Sequence, residues 1–295
     1  VRPRRSGNGL VATVIVVGLT LGLLAPASPA AGAGQRLDLV VLVLDDGGPQ
    51  VDAIISELEL RGVPRTIVDL ADPGRPVIDA AFLAGETDGV PHGHFQAVVL
   101  ASNELVVEGR ISQAELDALT DYESTFGVRR VYARVWAGPG VGLEWTQYAG
   151  PLDGEVATVT AAGLGGPFGY LAGPVPIDAF TFGYLSPPLD PPPEGSSFDA
   201  LVEVPVPGQG RVLPLIGIHV VDGREELVVA MGANRHQTHL RALAPGVVDW
   251  MTRGVHLGYS RNYFSVHVDD VFMPDDRWST AGNCTPGDDC PTTPG

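Results

Sequence analysis

The apolar positions of this chain change their period several times, and the changes divide it into segments. Residues 10–24 are an uncharged apolar run, preceded by Arg2, Arg4 and Arg5 and followed by small residues over 25–34. Basic, apolar and small in that order is the layout of a secretory signal, so residues 1–34 are expected to be a signal peptide and the folded part to start after them. The run is shorter than the ~20 residues that a membrane span needs, and an uncleaved anchor is the competing reading. The Arg4-Arg5 pair also permits twin-arginine export.

Beyond the signal, residues 37–44 form a continuous aliphatic run of strand length. A turn over 45–49 follows, and then Val51, Ile54, Ile55 and Leu58 recur at helical spacing up to Gly62. Residues 66–70 read as the next strand. A second unit repeats the pattern: 95–101 as strand, Ser112 as helix N-cap with Glu115 three residues on, Leu116, Leu119 and Tyr122 as the buried stripe, and 130–136 as strand. Short buried strands alternating with helices predict a parallel sheet covered on both faces, an α/β scaffold over 35–137.

Over 138–225 the texture changes. Glycine and proline are dense, helical period is lost, and β-prone pieces at 156–160, 200–206 and 212–220 are separated by turn signals. These features predict a β-sandwich-like insertion, with the proline-rich stretch 187–193 as a stiff surface loop. The α/β pattern returns over 226–258, with a strand at 226–231 and a helix over 239–255 that carries Leu240, Leu243, Val247, Val248 and Met251. Finally, residues 263–274 alternate, with Phe264, Val266 and Val268 on one face and Ser265, His267 and Asp269 on the other, until Pro274. Residues 259–295 are therefore expected to start a further domain with a new strand.

Charge narrows the partners. The formal net charge of −17 opposes nucleic acid and anionic membranes, and after the signal no second long apolar run offers stable membrane insertion. All 18 basic residues are arginine. The two cysteines, Cys284 and Cys290, stand close enough for a local disulfide in an oxidising compartment, and free thiols are the alternative.

Asp269-Asp270 is the most informative pair. Adjacent residues of a strand point to opposite faces, so both carboxylates can serve one site only where the strand ends or bulges, and Pro274 marks such an end. A solvated acidic strand end is the plainer reading. The stretch 246–272, and within it the motif from Trp250 to Asp270, resembles the entry into the (β/α) barrel-type catalytic domain of the extracellular polysaccharide deacetylases of carbohydrate esterase family 18. The upstream α/β region and the β-rich stretch are also similar to the non-catalytic part of that family, including its carbohydrate-binding module. This resemblance implies a secreted, metal-dependent hydrolase that removes acetyl groups from N-acetylated amino-sugar polysaccharides. It implies Asp269 as general base and Asp270 as ligand of a divalent metal, zinc by preference, with two histidines further downstream as the other ligands. No histidine follows Asp270, so the chain is expected to hold only the start of that catalytic domain.

A non-catalytic carbohydrate-binding protein is the alternative, with Phe168, Tyr170, Phe180, Phe182 and Tyr184 as sugar platforms or as core. A structural envelope protein without a ligand is a third reading. Three weaker motifs compete for chemistry. Asp45-Asp46-Gly47 with His92 and His94 imitates another deacetylase pattern, but a turn after a strand explains the acids. His236 and His239 have metal-binding spacing at a helix start, where cap and surface roles are commoner. The α/β region also resembles a glutamine-amidotransferase-like scaffold in which Ser102 stands at the nucleophile position, yet its neighbours lack the glycines of an elbow, so a non-catalytic scaffold is expected.

Overall fold

A computed structural model describes residues 34–259, 264–267 and 279–285; residues 1–33 of the expected signal segment therefore lie outside the described residues, as do Asp269, Asp270 and Cys290. The first aliphatic run divides in two, into β1 (Arg36–Leu37) and β2 (Val41–Asp45), and residues 41–44 of β2 are fully buried. Helix α1 (Pro49–Leu60) begins with Pro49, whose missing N–H costs nothing in the first turn, and buries Val51, Ile54 and Leu58. Strand β3 (Arg65–Asp69) follows, and then the short helix α2 (Ala80–Leu83) and the hairpin of β4 (Ala84–Thr87) and β5 (Val90–Gly93). Asp88 and Gly89 both have positive φ, as a two-residue hairpin turn requires. Next come β6 (Ala97–Leu100), α3 (Gln113–Phe126) and β7 (Arg129–Tyr132).

Helix α3 starts with the predicted capping box between Ser112 and Glu115, and Gly127 ends it in the left-handed conformation. Glu115 does more than cap. Arg75 Nη1 lies 2.6 Å from its Oε1, and this bond, with those from Ser112 and the Ile78 N–H, outweighs burial and holds the carboxyl at about 2.

The remaining strands are β8 (Tyr148–Pro151), β9 (Val156–Val159), β10 (Val175–Pro176), β11 (Phe182–Leu185), β12 (Ser196–Pro205), β13 (Val212–Val221), β14 (Arg224–Val229) and β15 (Met231–Gly232); α4 (Ala161–Gly165) precedes β10, and α5 (Thr238–Met251) closes the scaffold. Nine strands form one mixed sheet in the order β10-β9-β12-β13-β14-β7-β6-β2-β3. It is parallel from β14 to β3 and antiparallel from β14 to β10. The expected β-sandwich-like insertion is corrected here: the long β12–β13 hairpin extends the scaffold sheet through β14, and one apolar cluster runs from Val41 through Leu201 and Leu215 to Met251. Two small sheets, β1-β5-β4 and β15-β11-β8, flank it. Among residues 264–267 no strand forms, and Phe264 and Val266 are exposed, so the alternation there does not mark a buried face in the described part.

Between the two halves of the sheet lies a buried charged network. Arg130 of β7 donates to Glu123 of α3 at 2.8 Å and to the Tyr132 hydroxyl at 2.9 Å, and lies 3.6 Å from Glu226 of β14. Arg224 reaches both carboxylates, Glu226 at 2.8 Å and Glu123 at 3.2 Å. Arg130→Met would leave the buried acids short of a cation, and truncating one partner of such a set costs roughly 3–5 kcal/mol. Urea unfolding should show a lowered midpoint with an unchanged slope. A loss below about 1 kcal/mol, the range of surface pairs, would contradict the buried assignment.

Candidate functional site

In a sheet ordered β3-β2-β6-β7, the chain leaves β2 toward one side and β6 toward the other, and the crevice between their C-terminal ends is where α/β folds place ligands. The acids at the end of β2 are occupied. Asp45 Oδ1 accepts from the Gly47 N–H and Asp46 Oδ1 from the Gly48 N–H, both at 2.8 Å, so they shape the turn into α1. After β6, buried Ser102 accepts the Glu104 N–H at 3.1 Å and so shapes the turn that leaves the strand. Asn103 bonds the backbone of Trp136 in both directions, Nδ2 to the carbonyl and the Trp136 N–H to Oδ1, each at 3.0 Å. That clamp fixes the segment leaving β7.

Next to the clamp opens a cleft of about 620 Å³ between residues 103–104, α3 and the loop 137–146. Thr146 closes the loop, its N–H and hydroxyl both donating to the Ala137 carbonyl, while Val141 and Leu143 anchor it in the core. Two indoles edge the cleft. Trp136 is 40% exposed and packs at a tilt of 49° against Tyr184 with centroids 4.2 Å apart, and Tyr184 in turn meets Phe182 at 5.3 Å. Trp145 is 76% exposed and lies against Gly138, where a Cβ would come within 3.3 Å of its ring. Glu104, half-buried, supplies a carboxylate to the same lining. Exposed, backbone-fixed aromatic faces beside polar groups suit a ligand with one apolar face and a polar periphery.

The aromatics singled out in the sequence separate into roles. Phe168 is core, packed on Gly246, where a Cβ would lie 2.6 Å from its ring. The Tyr170 hydroxyl accepts the Gly246 N–H at 3.0 Å and donates to the Ala242 carbonyl at 2.6 Å, entering the helical ladder of α5 beside Pro245. Phe180 is exposed, and Phe182 and Tyr184 join the Trp136 platform. Trp136 and Trp145 escaped the sequence reading; an available signal was tryptophan in a glycine-rich loop just after a parallel strand.

The histidine pairs do not assemble a site. His92 lies 2.8 Å from Asp38 and 2.8 Å from Thr87, and His94 bonds the Phe82 carbonyl, all around the small sheet β1-β5-β4. His239 is buried: its Nδ1 accepts the Asp178 N–H at 3.2 Å, and burial, opposed by Asp178, lowers its pKa, whereas His236 is exposed. Among the described residues no group of three or more His, Cys, Asp or Glu could hold a metal. The implied base Asp269 and ligand Asp270 lie outside the described residues, and so does Cys290, expected to pair with the described, buried Cys284.

No protein-family profile matches the chain, and no curated protein does. Solved structures do match. Agd3, a carbohydrate deacetylase, superposes with a TM-score of 0.63 at 18% identity over 77% of this chain, which covers 34% of that protein. β-Galactosidases from Rahnella sp. R3 (TM-score 0.46, 12% identity, 73% of this chain, 32% of that one) and Bacillus circulans sp. alkalophilus (0.45, 10%, 72% and 30%) also match. At 18% identity the likeness to Agd3 is one of fold, and the chain spans about a third of the length of each of these proteins. 

The clamp makes its own prediction. Asn103→Ala removes two hydrogen bonds to the Trp136 backbone and should cost about 1–2 kcal/mol of stability. Near-UV circular dichroism should lose part of its tryptophan signal; an unchanged spectrum would mean that the clamp does not hold the indole.

Proposed function

We propose that this chain is part of an exported polysaccharide N-deacetylase and that its described region grips the carbohydrate. The observation that carries this reading is the cleft edged by Trp136 and Trp145, because pyranose rings present an apolar C–H face to an indole and hydroxyl or acetamido groups to neighbouring polar side chains. The fold likeness to a carbohydrate deacetylase supports it, as does the resemblance over Trp250 to Asp270. A secreted protein that binds carbohydrate without catalysis would use the same cleft and is the second reading.

Trp145→Ala should weaken binding of N-acetylated amino-sugar oligomers by about tenfold or more, the usual cost of truncating a tryptophan anchor. Because Trp145 is largely exposed, the melting temperature should barely change. Titration calorimetry of wild type and variant decides this, and equal affinity in both would remove the cleft from the binding surface.

In the same reading Asp269 is the general base and Asp270 a ligand of a divalent metal, zinc by preference, with the remaining ligands supplied by downstream sequence. Asp269→Asn in a protein carrying the complete catalytic domain should lower acetate release by roughly 10²–10⁴-fold while the fold is kept. Unchanged release in that variant would exclude the assignment, and an active wild type with no glycan binding at the cleft would separate the catalytic from the binding claim.

A further inference from the structure

The network at the middle of the sheet continues into an array that the carbohydrate reading does not use. His219 of β13 is the direct cross-strand neighbour of Glu226 on β14, and Ser196 stands at the start of β12, one diagonal step from His219. Ser196 Oγ lies 3.1 Å from His219 Nε2, and His219 Nδ1 lies 3.1 Å from Glu226 Oε2. Hydroxyl and carboxylate thus engage opposite nitrogens of one imidazole, the arrangement in which a base activates a nucleophile and an acid orients the base.

The surroundings favour the active protonation pattern. Burial would raise the Glu226 pKa, but the His219 bond and the charges of Arg130 and Arg224 outweigh it and hold the group below the usual carboxylate range. An ionised carboxylate at Nδ1 favours the tautomer with its proton there, which leaves the Nε2 lone pair facing the hydroxyl. Gly142 seats the loop on the imidazole: a Cβ at that position would lie 2.6 Å from His219 Cδ2.

His219 and Glu226 are buried, whereas Ser196 is half-buried and stands next to the exposed residues Gly195 and Ser197. The turn before Ser196 is closed by its N–H to the Pro193 carbonyl at 3.0 Å, with Gly195 at φ +74°. Glu194 and Gly195 are exposed, and their N–H groups have no hydrogen-bond partner among the described residues.

We propose that Ser196, His219 and Glu226 form an acyl-transfer centre acting on carboxylic esters. Ser196 Oγ bonds to the acyl carbon as its proton passes to His219 Nε2. The ester C–O bond breaks, and the alcohol leaves with that proton. Water then adds to the acyl-serine, giving a proton to His219 that returns to Ser196 as the carboxylic acid departs.

The test treats the full chain with a fluorophosphonate probe and, separately, with p-nitrophenyl acetate. Mass spectrometry should find the phosphonyl group on Ser196, and hydrolysis should be lost in Ser196→Ala but kept in Ser197→Ala, which removes only the exposed neighbour. His219→Gln, checked for folding by circular dichroism, should slow acylation by roughly 10²–10⁴-fold. Absence of label from Ser196 in the folded wild type, or hydrolysis unaffected by Ser196→Ala, would reduce the array to a structural hydrogen-bond row. Since neither readout involves the tryptophan cleft, carbohydrate binding stands or falls separately.

Discussion

Strand β14 has to satisfy two kinds of neighbour at once, parallel to β7 on one side and antiparallel to β13 on the other, and the charged row across it fixes how it does so. Arg130, Glu226 and His219 are successive cross-strand partners over β7, β14 and β13. Slipping β14 by one residue would turn Glu226 to the opposite face and bring Glu225 or Leu227 into its place between Arg130 and His219. Apolar residues alone would not penalise that slip so strongly, because β14 is buried on both faces from Glu226 to Val229. The row therefore sets the register between the two halves, at the cost of keeping Arg130, Arg224, Glu123, Glu226 and His219 satisfied together.

The cleft depends on that register. Beyond β14 the chain forms β15, which pairs with β11 and so places Phe182 and Tyr184 beside the segment leaving β7. Trp136 is then held from two directions, by Tyr184 on its ring and Asn103 on its backbone. An aromatic surface assembled this way meets its ligand with little conformational entropy left to lose. The same constraint carries the Ser196 array on neighbouring strands, so one device at the middle of the sheet positions both the binding cleft and the candidate ester site.

The α/β units were legible because their signals are local. A buried run, a turn and a helical stripe each occupy a dozen residues, and the Ser112–Glu115 capping box appears in the structure as the sequence spells it. The β-rich stretch is legible as strands, but its place in the scaffold sheet is not, since nothing in the spacing of β12 and β13 says that their hairpin joins β7 through β14. Phe168 and Tyr170 sit two residues apart in one glycine-rich loop, and only tertiary packing makes one core and the other a helix bridge. Ser196, His219 and Glu226 belong to no motif in sequence because they converge across strands. Trp136 and Trp145 were visible as residues, but their exposure depends on the clamp and on the bare Gly138 beneath the second ring.

The most direct test is a crystal structure of the protein with an oligomer of an N-acetylated amino sugar. The account predicts a pyranose ring stacked on Trp136 or Trp145, at roughly 3.5–4 Å, with polar contacts to Asn103 or Glu104. Sugar bound elsewhere on the molecule while this cleft stays empty would contradict it.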